Sequence, residues 1–202
     1  MTGPATATAR RRLLGGAACV AAIAGGLSVS SGAGAEGPAA SNVSVLERAT
    51  PLGDGDPAAL LVAPARSADP RRRDGAPLRG VTVPVGTSAV ELVTDDGILC
   101  AAPRVAGRSG DSSCAPLPLR TEAVPFQVGG DDAQAWVAAV VPDGVVRVSA
   151  TGIGGRTATA DVQDNVAIAA VPDAAGIERV SWETADGRRF EQVLGQAARA
   201  VE

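Results

Sequence analysis

The sequence predicts a mainly β fold: an antiparallel β-sandwich-like domain built from hairpins, preceded by a signal peptide and a loosely structured arm with short helical turns. Three observations lead there. Short β-branched and apolar runs alternate with Gly- and Asp-rich turns from Gly80 onward. A segment of period-2 alternation occurs twice, and Cys100 and Cys114 form an even pair outside the N-terminal apolar run.

Residues 1–35 read as the signal peptide. Arg10, Arg11 and Arg12 precede an apolar run from Leu13 to Val29, and Ala33-Gly34-Ala35 ahead of Glu36 supplies a small-residue cleavage site. The run is short for a membrane span and is diluted by Gly15, Gly16, Gly25 and Gly26. Arg10-Arg11 before Leu13-Leu14 also has the form of a twin-arginine signal, and either route exports the chain. Cys19 lacks the preceding Leu of a lipidation site. The expected location is secreted or in the cell envelope, with membrane contact only if the segment stays uncleaved.

Residues 36–78 are rich in Pro, Gly, Ala and Asp and read as a flexible arm. Ser44 to Glu47 fits a capping box, and Asp56-Pro57 places an N-cap before a first-turn proline, so two helical turns are expected there. The β-rich domain spans 79–195, and 196–202 is a C-terminal tail. Within the domain, Val81–Val85, Ala89–Thr94 and Ile98–Ala101 read as strands, the last two joined by the Asp95-Asp96-Gly97 turn. Cys100 and Cys114 pair as a disulfide around a segment whose Gly107, Ser109, Gly110, Ser112 and Ser113 predict irregular structure. Ala123–Val128 and Ala135–Val141 follow, separated by a turn at Gly129 to Asp132. The second run is apolar on both faces and reads as a central strand.

The repeat begins at Val141-Pro142-Asp143-Gly144 and again at Val171-Pro172-Asp173. After a two-residue insertion the offset is 32, through Gly155-Arg156 and Gly187-Arg188. In the first copy Val146, Val148 and Ala150 oppose Arg147, Ser149 and Thr151; in the second, Val180 and Trp182 oppose Arg179, Ser181 and Glu183. Each copy is a hairpin with a dry and a wet face, and the domain is expected to hold about seven to nine strands in a sandwich.

Composition excludes several chemistries. All 18 basic residues are Arg, with no Lys, His or Tyr. A serine nucleophile with a histidine base, a P-loop lysine and a Schiff base are therefore unavailable, and the disulfide removes thiol catalysis. Without the three arginines of the export segment, 15 remain against 22 carboxylates, a net charge near −7, which excludes nucleic acid as a partner. No metal or cofactor is expected: two cysteines without His do not make a zinc site, and neither Asp54-Gly55-Asp56 nor Asp131-Asp132 has calcium-loop spacing. Gly152-Ile153-Gly154-Gly155 aligns with Thr184 to Gly187 in the repeat and reads as a hairpin turn, not a phosphate loop. Arg71-Arg72-Arg73, flanked by Asp69, Pro70 and Asp74, reads as solvated linker. Trp136 and Trp182 fall on the inward pattern and read as core, although a glycan-stacking role uses the same residue type.

The order Val45 to Pro51, Gly97 to Cys100, Cys114 to Leu117, Val141 to Val145 and Asp164-Asn165-Val166 resembles a group of uncharacterised actinobacterial exported or membrane-anchored proteins. The resemblance implies a paired-cysteine β-domain behind an export or anchor segment and no particular activity. The sequence thus points to a non-enzymatic interaction or structural domain of the envelope or secretome, meeting an extracellular or envelope protein or glycan. Two alternatives stand beside it: a protease inhibitor presenting Arg104 and Arg108 on the Cys100 to Cys114 loop, and a glycan hydrolase using paired carboxylates.

Overall fold

A run of small and branched apolar residues with no polar face has to be covered on both sides, and the computed structural model covers it with two further sheets. It describes residues 41–53, 55–61, 77–95, 97–131, 133–194 and the backbone of 199–201. The signal peptide with Ala33, Ala35 and Glu36, and the Arg71 to Arg73 run, lie outside the described residues.

Fourteen strands occur among the described residues. In chain order they are β1 (Thr50–Pro51), β2 (Arg79–Val85), β3 (Ser88–Asp95), β4 (Ile98–Val105), β5 (Arg108–Ser109), β6 (Ser113–Pro116), β7 (Phe126–Gly130), β8 (Gln134–Val140), β9 (Val145–Gly152), β10 (Thr157–Asp161), β11 (Val166–Pro172), β12 (Ile177–Thr184), β13 (Arg189–Val193) and β14 (Arg199–Val201). They form three antiparallel sheets. One runs β1-β2-β3-β4-β5 with β6 also on β4, a second β11-β8-β7, and a third β10-β9-β12-β13-β14. The architecture is mainly β and hairpin-built, as predicted, but with three layers in place of a two-sheet sandwich.

The reason lies in β8 and β11. Ala135, Val137 and Ala139 of β8, with Ala167, Ala169 and Val171 of β11, pack against Val148, Ala150, Val180, Trp182 and Phe190 of the five-stranded sheet. The alternate residues Trp136, Ala138, Val140 and Val166 pack against Val83, Val90, Leu92 and Leu99 of the first sheet. Successive side chains point to opposite faces, so a strand apolar at every position serves two cores at once. At about 25 cal/mol per Å² of buried apolar surface, exposing either face would forfeit several kcal/mol.

The repeat gains a geometric meaning. β9 pairs with β12 so that Ser149 faces Ser181, and β8 pairs with β11 so that Ala138 faces Ile168. Each of these residues faces its own counterpart in the other copy, at offset 32 beyond the Ala174-Ala175 insertion and 30 before it. A local two-fold axis therefore passes through both pairs, the geometry of a self-complementary dimer placed within one chain. Both hairpin turns repeat the same bonds: the N–H of Gly152 donates to Arg156 O, and that of Thr184 to Arg188 O.

Further expectations are corrected. Val146 does not face inward with Val148: it is 43% exposed, because the β9–β12 register shifts beside it and Val145 takes the buried place. Its counterpart Glu178 sits in the equivalent shift between Ile177 and Arg179. Such bulges are a normal way to bend a strand across a corner. The segment between the cysteines is not irregular, since β4 turns at Ala106-Gly107 into β5 and β6 returns along β4. Residues 199–201 of the expected tail are an edge strand on β13. Finally, residues 41–53 and 55–61 of the expected arm are built into the domain.

Within that arm, a 3₁₀ turn at Ser44–Arg48 buries Val45 and Leu46, and Val43 is fully buried beside them. A second at Pro57–Leu61 lies over Val93, Cys100 and Ile98 on the other face of the first sheet, and Asp56 Oδ1 caps it by accepting the Ala58 N–H at 2.9 Å. The capping box at Ser44 does not form. The Ser44 hydroxyl donates instead to Asn165 Oδ1 (3.0 Å), which also accepts the Val45 N–H (2.9 Å). Asn165 Nδ2 donates to Val141 O (3.1 Å) and to Asp143 Oδ1 (2.8 Å), and Asp143 accepts the Ser44 N–H (3.1 Å). Asn42 adds a reciprocal pair with the Leu119 backbone (2.7 and 2.9 Å). Asn165 has φ +63°, in the left-handed region that Asn tolerates better than most residues. Three segments far apart in sequence, Val45 to Pro51, Val141 to Val145 and Asp164 to Val166, thus meet at one polar joint.

Candidate functional site

Sheet register assembles a polar face on the outside of the five-stranded sheet. Asp161 of β10 lies beside Arg147 of β9, which lies beside Glu183 of β12 and then Arg189 of β13. The next row is Thr159, Ser149, Ser181 and Glu191, and a third holds Thr157, Thr151 and Arg179. Residues directly opposite on neighbouring antiparallel strands share a face, so these rows, stepping about 4.8 Å from strand to strand, are continuous across the sheet. The intervening row, Ala160, Val148, Trp182 and Phe190, points into the core.

Charges in the first row alternate and cancel. Arg147 Nε lies 3.5 Å from Asp161 Oδ1, and its Nη1 4.0 Å from Glu183 Oε2. Arg189 Nε reaches the same Glu183 oxygen at 3.4 Å, and Arg179 Nη1 lies 3.6 Å from Glu191 Oε2. The exposed pairs among these contribute at most about 1 kcal/mol each, whereas Glu191 is buried. The hydroxyls of Ser149 and Thr159 are 2.8 Å apart and those of Thr151 and Thr157 3.0 Å. A recess of about 340 Å³ lies here, lined by Arg147, Ser149, Thr159, Ser181, Trp182, Glu183 and Arg189.

The remaining sequence-predicted residues are dispersed. Cys100 and Cys114 are directly opposite on β4 and β6 and form a disulfide. Arg104 is exposed, next to last in β4, and lies between Ala89 of β3 and Ser109 of β5. Arg108 is held to Asp131 at 3.0 Å. The two arginines flank the exposed Ala106-Gly107 turn of the β4–β5 hairpin. Trp182 is buried, stacks on Phe190 with centroids 5.9 Å apart, and donates its Nε1–H to Thr121 O at 2.7 Å. Trp136 is buried in the other core, its indole laid over Gly129 and Gly110. Both tryptophans are core residues. Among the described residues no group of three or more His, Cys, Asp or Glu could hold a metal ion.

Three carboxylates are held below the usual range. Hydrogen bonds from the backbone of Ala133 and Gln134 lower Asp131, outweighing burial. Burial pushes Asp143 up, and the bonds from Asn165 and Ser44 together outweigh it. The Thr184 hydroxyl lowers Asp186 against burial, with help from Arg188. Comparison with protein families, with curated proteins and with solved structures finds no match for this chain.

The alternation in the repeat made the wet side of β9 and β12 legible as wet. That Asp161 and Arg189 complete the charged row was not legible, since it depends on which strands flank the repeat's central pair.

Proposed function

We propose that this chain is a non-enzymatic interaction or structural module acting outside the cytoplasm, released by cleavage after Ala35, and that it meets its partner through the polar face of the five-stranded sheet. The observation that carries the reading is the condition of six carboxylates. Asp161, Glu183 and Glu191 are in ion pairs with arginines, and Asp131, Asp143 and Asp186 are held low by hydrogen bonds. A glycosidase acid needs the opposite, a carboxyl held protonated near neutrality. The disulfide supports an oxidising compartment.

Two measurements test this. Intact mass of the native protein from supernatant and membrane fractions should give a species starting at Glu36 that gains two hydrogens on reduction; a full-length membrane species would overturn the released arrangement. Incubation with envelope polysaccharides and peptides should yield no product. Turnover that disappears on a single carboxylate substitution would refute the non-enzymatic reading.

A further inference from the structure

Resting on the reading above, we infer that the recess on the polar face binds a neutral, polyhydroxylated chain, an uncharged glycan laid across β10, β9, β12 and β13. The argument is one of charge and unused hydrogen-bonding capacity. Arg147 and Arg189 are matched by Asp161 and Glu183, so the charged row offers no net attraction to a polyanion or a polycation. The ion pairs also leave hydrogen-bonding atoms over. Both arginines meet Glu183 at 3.4 and 4.0 Å, longer than a normal hydrogen bond, so the carboxylate keeps accepting capacity. Arg147 turns Nε to Asp161 at 3.5 Å and Nη1 to Glu183 at 4.0 Å, and Arg189 turns Nε to Glu183 at 3.4 Å, contacts too long to use up their N–H groups.

A carboxylate oxygen beside guanidinium N–H groups can accept from one hydroxyl of a vicinal diol while the guanidinium donates to the other. Ser149, Thr159 and Ser181 line the same recess and both donate and accept, as sugar hydroxyls do. The row repeats such groups at the strand spacing of about 4.8 Å, a step comparable with the advance of one sugar ring along an extended glycan. An extended peptide fits less well: it recognises a sheet edge or apolar pockets, and this face is neither.

The test is amide chemical-shift mapping on the ¹⁵N-labelled full chain. The probes are neutral hexasaccharides (β-1,4-glucan, α-1,4-glucan and chitin) and a polysulfated hexasaccharide. The expected result is perturbation by a neutral sugar confined to β9, β10, β12 and β13, with affinity unchanged between low and high salt. Glu183→Gln should weaken binding about ten-fold, because a charge-assisted acceptor becomes a neutral one. Ser181→Val should weaken it less, and the unperturbed remainder of each spectrum reports that the variant is folded. No perturbation by any neutral sugar, perturbation elsewhere, or salt-sensitive binding of the sulfated sugar alone would overturn the inference and leave the interaction reading standing. New reducing ends in the same samples, abolished by Asp161→Asn, would overturn the interaction reading itself.

Discussion

Removing the side chain of Asn165 tests whether one residue holds the N-terminal segment onto the domain. In the native chain that amide makes four hydrogen bonds, to Ser44, Val45, Val141 and Asp143, while its backbone sits at φ +63°. Two variants separate these roles. Asn165→Gly deletes the bonds but adopts the left-handed conformation freely. It leaves the buried Val45 N–H without its acceptor, a cost of about 1–3 kcal/mol, and the lost bonds to Val141 O and Asp143 bring the total to about 2–4 kcal/mol. Asn165→Ala adds about 1 kcal/mol for forcing a Cβ into that region. For a chain of this size each kcal/mol is roughly 2–4 °C in Tm, so the glycine variant should melt roughly 5–15 °C lower and the alanine variant a few degrees lower again. Urea unfolding of the full chain measures the free energies, and hydrogen exchange at the Val45 amide reports the local effect. If Asn165→Gly lies within about 0.5 kcal/mol of wild type and Val45 stays protected, the joint does not hold the segment and the reasoning fails.

The other predictions concern single contacts. Asp143 has a folded pKa below its unfolded one, so its stabilisation is complete above the ordinary carboxylate range and is lost as pH falls through the lowered folded value. Asp143→Ala should therefore be less stable at neutral pH and lose less stability on acidification, and parallel stability–pH curves for the two proteins would contradict this. A methyl group at Gly129 would lie 2.7 and 2.8 Å from Cε2 and Cη2 of Trp136 and closer still to Cζ2. Gly129→Ala should cost about 1–3 kcal/mol and shift tryptophan fluorescence; an unchanged denaturation midpoint would show that the indole can move aside. Replacing Cys100 and Cys114 together by Ala should lower stability by about 3 kcal/mol through the freed unfolded chain, measured by denaturation of oxidised wild type against the variant.

By itself the sequence determined whatever depends on neighbours a few positions apart. The alternation of Val148 and Ala150 with Arg147, Ser149 and Thr151 set the wet and dry sides of β9. The unbroken apolar run of β8 required a central strand, and the matching turns at Gly152 to Arg156 and Thr184 to Arg188 were foreseeable from the repeat. These features follow from strand stereochemistry and turn chemistry, which act over one to four residues. Only the tertiary structure decided that the layers number three, that Val146 bulges outward, and that residues 41–51 belong to the domain. The joint at Asn165 links residues about 120 positions apart, and the charged row draws its members from four strands. Such partnerships are fixed by sheet register and by which faces stack. Local pattern does not encode them, because an exposed Arg in alternation reads the same whether the next strand brings it an Asp, a Glu or open water.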